Sequence, residues 1–305
     1  MVTEPQPGSP QAAPATCWWH PDRPTGLRCV RCERSACPDC LREAAVGYQC
    51  IDCVAAARRE EKARAALTRS RGFGPRTVAG ARVTDRVVIT PLLIALNGLV
   101  YVATAAEAGD VMNNQSSGLF LEGALWPPLI AAGEWWRMIT SAFLHIGPFH
   151  LLMNMVALWF LGRDLEQLLG KARFVALYVV SLLGGSVAVY LFEDIRQWTA
   201  GASGAIYGLL GAILVAAIRL RLDLTFIVVI IGINLVISFR VQGISWLGHL
   251  GGFAVGVLVT IALVYAPAKV RTPVQVGTVV AVTVALVALF LVRDAQLAAQ
   301  LAPLL

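Results

Sequence analysis

Residues 201–217 read GASGAIYGLLGAILVAA, seventeen positions without a charge, with Arg219 and Arg221 just beyond. A helix rises 1.5 Å per residue, so crossing the hydrocarbon core of a bilayer takes about 20 apolar residues, and a run this long does so with a short extension into its flanks. Gly204 and Gly208 are spaced i, i+4 and lie on one helical face, where another backbone can approach closely. Gly201-Ala202-Ser203-Gly204 opens the run, and its small residues expose the Ser203 hydroxyl to a neighbouring helix or to a bound chain. Alone, the motif serves equally well as a helix-packing face.

Similar runs recur on both sides, at about Val87–Ala106, Phe149–Leu161, Phe174–Phe192, Leu224–Phe239, Ile244–Tyr265 and Val274–Val292. Together with Ser203–Ala217 they predict an all-α membrane protein with seven spans. Composition agrees: of 305 residues, 57% are hydrophobic and 14% charged, against about 25% charged in soluble domains. The net charge of +6 does not mark a nucleic-acid partner, because the basic residues sit in the N-terminal segment and in short loops. Arg82 and Arg86, then Arg163, Lys171 and Arg173, then Arg219 and Arg221, then Lys269 and Arg271 fall in alternate loops. The positive-inside rule puts those loops and the N-terminus in the cytoplasm and the C-terminus outside; richness in Ala, Arg, Val and Leu suggests a plasma membrane.

Ahead of the first span, residues 1–16 are poor in large apolar groups and are expected to be a disordered lead. From Ala55 to Arg82, arginines and one lysine among alanines, then Gly72, Gly74 and Pro75, predict a basic helix and linker beside anionic lipid heads. The long connection from Glu107 to Phe149 is expected to be functional. Its Trp126, Trp135 and Trp136 suit the headgroup level as anchors.

All seven cysteines lie between Cys17 and Cys53, in the segment placed in the cytosol, where ligation of metal is favoured over disulfides. They form, with one histidine, the pairs Cys17-x-x-His20, Cys29-x-x-Cys32, Cys37-x-x-Cys40 and Cys50-x-x-Cys53. Each such pair can reach one tetrahedral zinc from a tight knuckle, so four pairs provide for two ions. In a crossed arrangement Cys17, His20, Cys37 and Cys40 hold one ion and Cys29, Cys32, Cys50 and Cys53 the other. A redox dithiol at Cys37 and Cys40 would leave the other pairs without a role. With every coordination position filled by protein, the zinc is expected to be structural. The segment resembles B-box or RING-like zinc fingers, a likeness that points to zinc but to no particular partner; a cytosolic protein is the partner class considered for it.

Of four histidines, His145, His150 and His249 lie in the membrane region, where an ionisable group is a functional candidate by default. His150, Ser203 and His249 each fall near the start of a span running in the same direction, so they come to similar depths. His150 and Asn154 share a helical face at i, i+4, from which imidazole and amide N–H groups can donate to an oxyanion. Gly248-His249-Leu250-Gly251-Gly252, with Gly256 a turn later, offers the close packing that would bring the imidazole to the serine.

Trp136-Arg137, His150-x-x-x-Asn154, Gly201-x-Ser203-Gly204 and His249-x-x-Gly252-x-x-x-Gly256, in this order, resemble the rhomboid protease family over roughly Val87–Tyr265. The resemblance implies a six-helix bundle, here with a seventh C-terminal span after Pro267, and a serine endopeptidase that cuts single-span membrane proteins within the bilayer. It implies Ser203 as nucleophile, His249 as base, His150 and Asn154 at the oxyanion, and Tyr207 against the imidazole, with no cofactor in catalysis. The family often has alanine where Gly248 precedes the histidine, a change that still permits close packing. The organisation expected is a lead at 1–16, a zinc module at 17–53, a basic helix and linker at 54–86, a protease core at 87–265 and an added helix and tail at 266–305. The alternatives are a catalytically inactive rhomboid-like protein that binds membrane helices, and a transporter, for which the inverted repeats and mid-membrane charges are missing.

Overall fold

The computed structural model describes residues 15–70, 76–240 and 244–301. Most of the expected lead, the linker residues Gly72, Gly74 and Pro75 and the last four residues of the tail lie outside them. The chain divides into two compact units, Met1–Gly74 and Pro75–Leu305.

In the first unit β1 (Leu41–Glu43) pairs antiparallel with β2 (Tyr48–Cys50), in a register that sets Leu41 opposite Cys50. The turn between them closes at Gly47, whose φ of 65° suits glycine. The strand β2 runs straight into α1 (Ile51–Ser70). The basic helix thus begins four residues before Ala55 and takes Cys53 into its first turn. At the start of the second unit, Arg76 and Arg82 face each other across a turn, in which Gly80 has a φ of 83°. Among the described residues the buried set of the unit is Cys17, Cys29, Cys37, Cys40 and Cys50 with Ala36 and Leu41.

Among the described residues the regular elements of the second unit are helices. Its long helices are α2 (Ile89–Ala108), α6 (Gly147–Leu169), α7 (Lys171–Phe192), α8 (Ser203–Leu220), α9 (Thr225–Arg240), α10 (Trp246–Tyr265) and α11 (Arg271–Leu301). The connection from α2 to α6 carries three short ones, α3 (Gly118–Gly123), α4 (Pro127–Ala131) and α5 (Arg137–Thr140). The helices α2, α7, α8, α10 and α11 are long and apolar enough to cross a membrane, and α6 with the segment from Arg137 to Phe143, bent by 92° against it, makes a sixth candidate. With 16 residues, α9 spans about 24 Å, short of the roughly 30 Å hydrocarbon core. The protein is an all-α, multi-pass membrane protein whose bundle carries an additional C-terminal helix.

Glycines decide which helices touch. A methyl group at Gly252 would overlap the carbonyl of Gly204, and one at Gly256 the carbonyl of Gly208, so α8 and α10 meet backbone to backbone and run parallel. Against them α7 packs antiparallel, with the Gly185 Cα close to Gly204 and to the Gly248 carbonyl. The first turn of α2 is capped from α6: Glu166, 1% exposed, accepts from the backbone N–H groups of Val88, Ile89 and Thr90 at 2.8–2.9 Å and from the Thr90 hydroxyl at 3.0 Å. Those N–H groups have no partner within the helix, and the negative carboxylate complements the positive end of its dipole. The added helix α11 is tied to α7 by Arg173 to Gln275 at 2.7 Å and by Tyr190 to Asp294 at 2.7 Å.

The long connection is also a built structure. Arg137, 3% exposed, pairs with Glu134 at 2.6 Å and donates to the carbonyls of Leu121 and Ala124 at 2.6 and 2.9 Å. Trp126, Trp135 and Trp136 remain 40–60% exposed, as anchors at an interface would be.

Candidate active site and metal centres

In the first unit the eight candidate ligands come together as two quartets, Cys17, His20, Cys37 and Cys40, and Cys29, Cys32, Cys50 and Cys53. Within each the ligand atoms lie within 4.8 Å of one another. The Nδ1 of His20 stands 3.4 Å from the sulfurs of Cys37 and Cys40 and 3.7 Å from that of Cys17. In the other quartet the Cys32 and Cys50 sulfurs are 3.7 Å apart. Tetrahedral zinc with Zn–S bonds of about 2.3 Å gives edges of about 3.8 Å, so these separations fit the ion. Burial first, then the adjacent thiols, push Cys40 and Cys53 up to about 12. Thiols crowded in this way ionise together only beside a cation.

In the second unit Ser203 is the first residue of α8. The segment leading into it is stitched to the long connection: Leu125 and Thr199 exchange backbone hydrogen bonds of 3.0 and 2.9 Å, and the Gly201 N–H donates to Ser141 O at 2.9 Å. Gly201 has a φ of 134°, and a Cβ placed there would lie 2.9 Å from Cε1 and 3.0 Å from Nε2 of His150, and 3.7 Å from Ser203 Oγ. Only glycine allows both this backbone and the imidazole beside the serine.

His150 fixes its own tautomer. Its Nδ1 accepts from the Ile146 N–H at 3.3 Å, and a neutral imidazole that accepts at Nδ1 carries its hydrogen on Nε2. That Nε2 is the nitrogen next to Gly201, so a donor is presented on the side of the serine. One turn on, Asn154 is 7% exposed and gives one amide hydrogen to His150 O at 2.9 Å, leaving the other for a further acceptor. His145, fully buried, lies edge-on to His150 with ring centroids 5.1 Å apart.

His249, the fourth residue of α10 and 7% exposed, stacks on Tyr207 with centroids 3.9 Å apart and planes inclined by 11°. Tyr207 is one turn after Ser203, so the two share a face of α8, and the imidazole lies along that face. Among the described residues no hydrogen bond joins Ser203 Oγ to His249. Such catalytic contacts are commonly long without substrate and tighten when it binds. The Nδ1 of His249 is instead 2.7 Å from the hydroxyl of Ser238 on α9. Ser238 did not stand out in the sequence, although Asn234 and Ser238 repeat in an apolar run the i, i+4 polar spacing that drew attention to His150 and Asn154.

Residues 132–266 match the rhomboid domain, a range that contains every candidate residue of this site. Over 193 residues the chain is 39% identical to the rhomboid protease GluP of Bacillus subtilis, a match covering 62% of this chain and 37% of that relative. The putative rhomboid protease YdcA of the same organism is 36% identical over 43% of this chain and 68% of its own length. The chain belongs to the rhomboid family. The rhomboid protease AarA of Providencia stuartii is 27% identical over 67% of this chain and 83% of its own length. Rhomboids include intramembrane serine proteases that act on membrane proteins within the bilayer, and also inactive relatives. The rhomboid match begins after α2 and ends before α11, and the cysteine module lies outside it.

Proposed function

We propose that this chain is an intramembrane serine endopeptidase that cuts single-span membrane proteins with a Ser203–His249 dyad. The observation that carries this reading is the stacking of His249 on Tyr207, one turn from Ser203, with the His150 imidazole at Gly201 beside the same serine. Ser203 Oγ attacks the substrate carbonyl carbon while its proton passes to His249 Nε2. The oxyanion accepts from His150 Nε2–H, from the free amide hydrogen of Asn154 and from the backbone N–H of Ser203, which as the first residue of a helix has no partner there. Collapse breaks the C–N bond, and His249 returns its proton to the leaving amine. The remaining ester is hydrolysed by water that His249 deprotonates, releasing the acid and the serine. No cofactor takes part. A helical substrate must unwind to present its carbonyl, which favours glycine and other weak helix formers near the cut.

The same reading assigns one structural zinc to each quartet of the cysteine module, for which a cytosolic protein is the partner class. The same reading places the chain in a plasma membrane, and the loop charges support a cytoplasmic N-terminus and an outside C-terminus. Purified protein in lipid vesicles, given a fluorogenic transmembrane substrate, tests the dyad. Ser203→Ala and His249→Ala should each lower kcat about 10⁴-fold. Turnover that survives Ser203→Ala removes the nucleophile, and wild-type protein that binds such helices without cutting any places the chain with inactive relatives.

A further inference from the structure

The helix α9 buries one side chain, and buries it at the site. Of its sixteen residues only Ser238 is buried, at 3% exposed. Its neighbours Val236, Ile237 and Phe239 are 45–62% exposed, as lipid-facing side chains are. Three hydrogen-bonding groups surround the hydroxyl: His249 Nδ1 at 2.7 Å, the Tyr207 hydroxyl at 2.7 Å and the Asn234 carbonyl at 2.7 Å. Tyr207 also reaches the Asn234 carbonyl, at 2.8 Å.

Counting hydrogens shows what this knot does. The Asn234 carbonyl only accepts, and Ser238 and Tyr207 have one hydrogen each. If Ser238 gives its hydrogen to the carbonyl, Ser238 Oγ is left as an acceptor for His249 Nδ1–H, and the tyrosine hydroxyl donates to either oxygen. Every group is then satisfied, and His249 carries its hydrogen on Nδ1 with a lone pair on Nε2, the form a base toward Ser203 requires. In the opposite tautomer Ser238 would donate to Nδ1, leaving the tyrosine alone to serve the carbonyl and putting a hydrogen where the serine's proton must arrive.

We infer that Ser238 is a positioning residue: it holds His249 in the Nδ1–H tautomer and fixes the ring plane, the part that a carboxylate plays in a three-membered triad. It touches neither substrate nor reacting atoms and acts only through the imidazole. Tyr207 and Ser238 divide the work, the ring stack setting the plane and the hydroxyl setting the hydrogen. The inference rests on His249 being the base. It has a mechanical corollary: the base is correctly protonated only while α9 is seated against α8 and α10.

Steady-state turnover in lipid vesicles and nitrogen NMR of imidazole-labelled protein test it together. Ser238→Ala should lower kcat about tenfold, the worth of one buried hydrogen bond, with KM unchanged. Ser238→Cys, close in volume but a weak acceptor, should show the same loss, which guards against a folding defect of the alanine variant. In Ser203→Ala protein the His249 signals should report hydrogen on Nδ1, and adding Ser238→Ala or Ser238→Cys should shift them toward a mixture of tautomers. Wild-type kcat in both Ser238 variants with unchanged His249 signals overturns the role of Ser238 while leaving the dyad intact. Turnover persisting in His249→Ala instead brings down the dyad, and the inference with it.

Discussion

The cysteine module and the helical bundle are held together by different physics. Among the described residues of the module, the buried ones are chiefly the candidate ligands themselves, joined by Ala36 and Leu41. In the bundle the core combines large side chains such as Phe174, Tyr178 and Tyr190 with glycines that let α8 and α10 touch. With zinc in the two quartets as proposed, so small a unit would depend on metal bonds, whose strength is concentrated in a few atoms. A bundle in lipid gains little from burying apolar groups, so it depends on close packing and on polar groups that find partners.

Removing metal should have the largest effect. Structural zinc contributes an apparent 10 kcal/mol or more per ion, so a strong chelator, or Cys29→Ser for one quartet, should melt the module while the bundle keeps its unfolding temperature. Metal content by mass spectrometry and circular dichroism of residues 15–70 expressed alone check this. Full zinc content in Cys29→Ser would break the comparison on the module side. On the bundle side, Gly252→Val forces a branched side chain into the Gly204 carbonyl and should cost about 3 kcal/mol, read as a lower unfolding temperature in detergent with zinc content unchanged. Next, Glu166→Gln removes the charge from the cap on α2 and should cost about 2 kcal/mol. A variant as stable as wild type would show that the α2 terminus finds other partners. The smallest effect is expected of Tyr207→Phe, which keeps the ring stack on His249 and loses one hydroxyl. Its kcat should fall by about fivefold, against a far larger loss for Tyr207→Ala.

Much of this was legible in the chain because the signals are local. Apolar run length predicts spans, since a bilayer has a fixed thickness, and α2, α7, α8, α10 and α11 were read in that way. The run at Phe149–Leu161 was read too short: α6 extends from Gly147 to Leu169, because its last turns carry Arg163, Asp164 and Glu166, and Glu166 has a buried function at the α2 terminus that hydropathy counts against a helix. Ser203, His249, His150 and Asn154 stood out as candidates because hydroxyl, imidazole and amide groups are scarce in apolar runs. Ser238 carried the same signal more weakly, since a lone serine in a membrane helix commonly bonds its own backbone carbonyl four residues back, as this one also does.

The sequence by itself determined the membrane class, the polar candidates and the paired cysteines, since each depends on residue type at short spacing. Tertiary structure brings the cysteine pairs together in the crossed arrangement that the spacing had suggested, and it alone decided that His150 presents Nε2 and His249 is met at Nδ1, and that Glu166 caps a helix some eighty residues earlier in the chain. Those outcomes depend on which distant atoms arrive within about 3 Å, and hydrogen bonds weaken steeply beyond that distance.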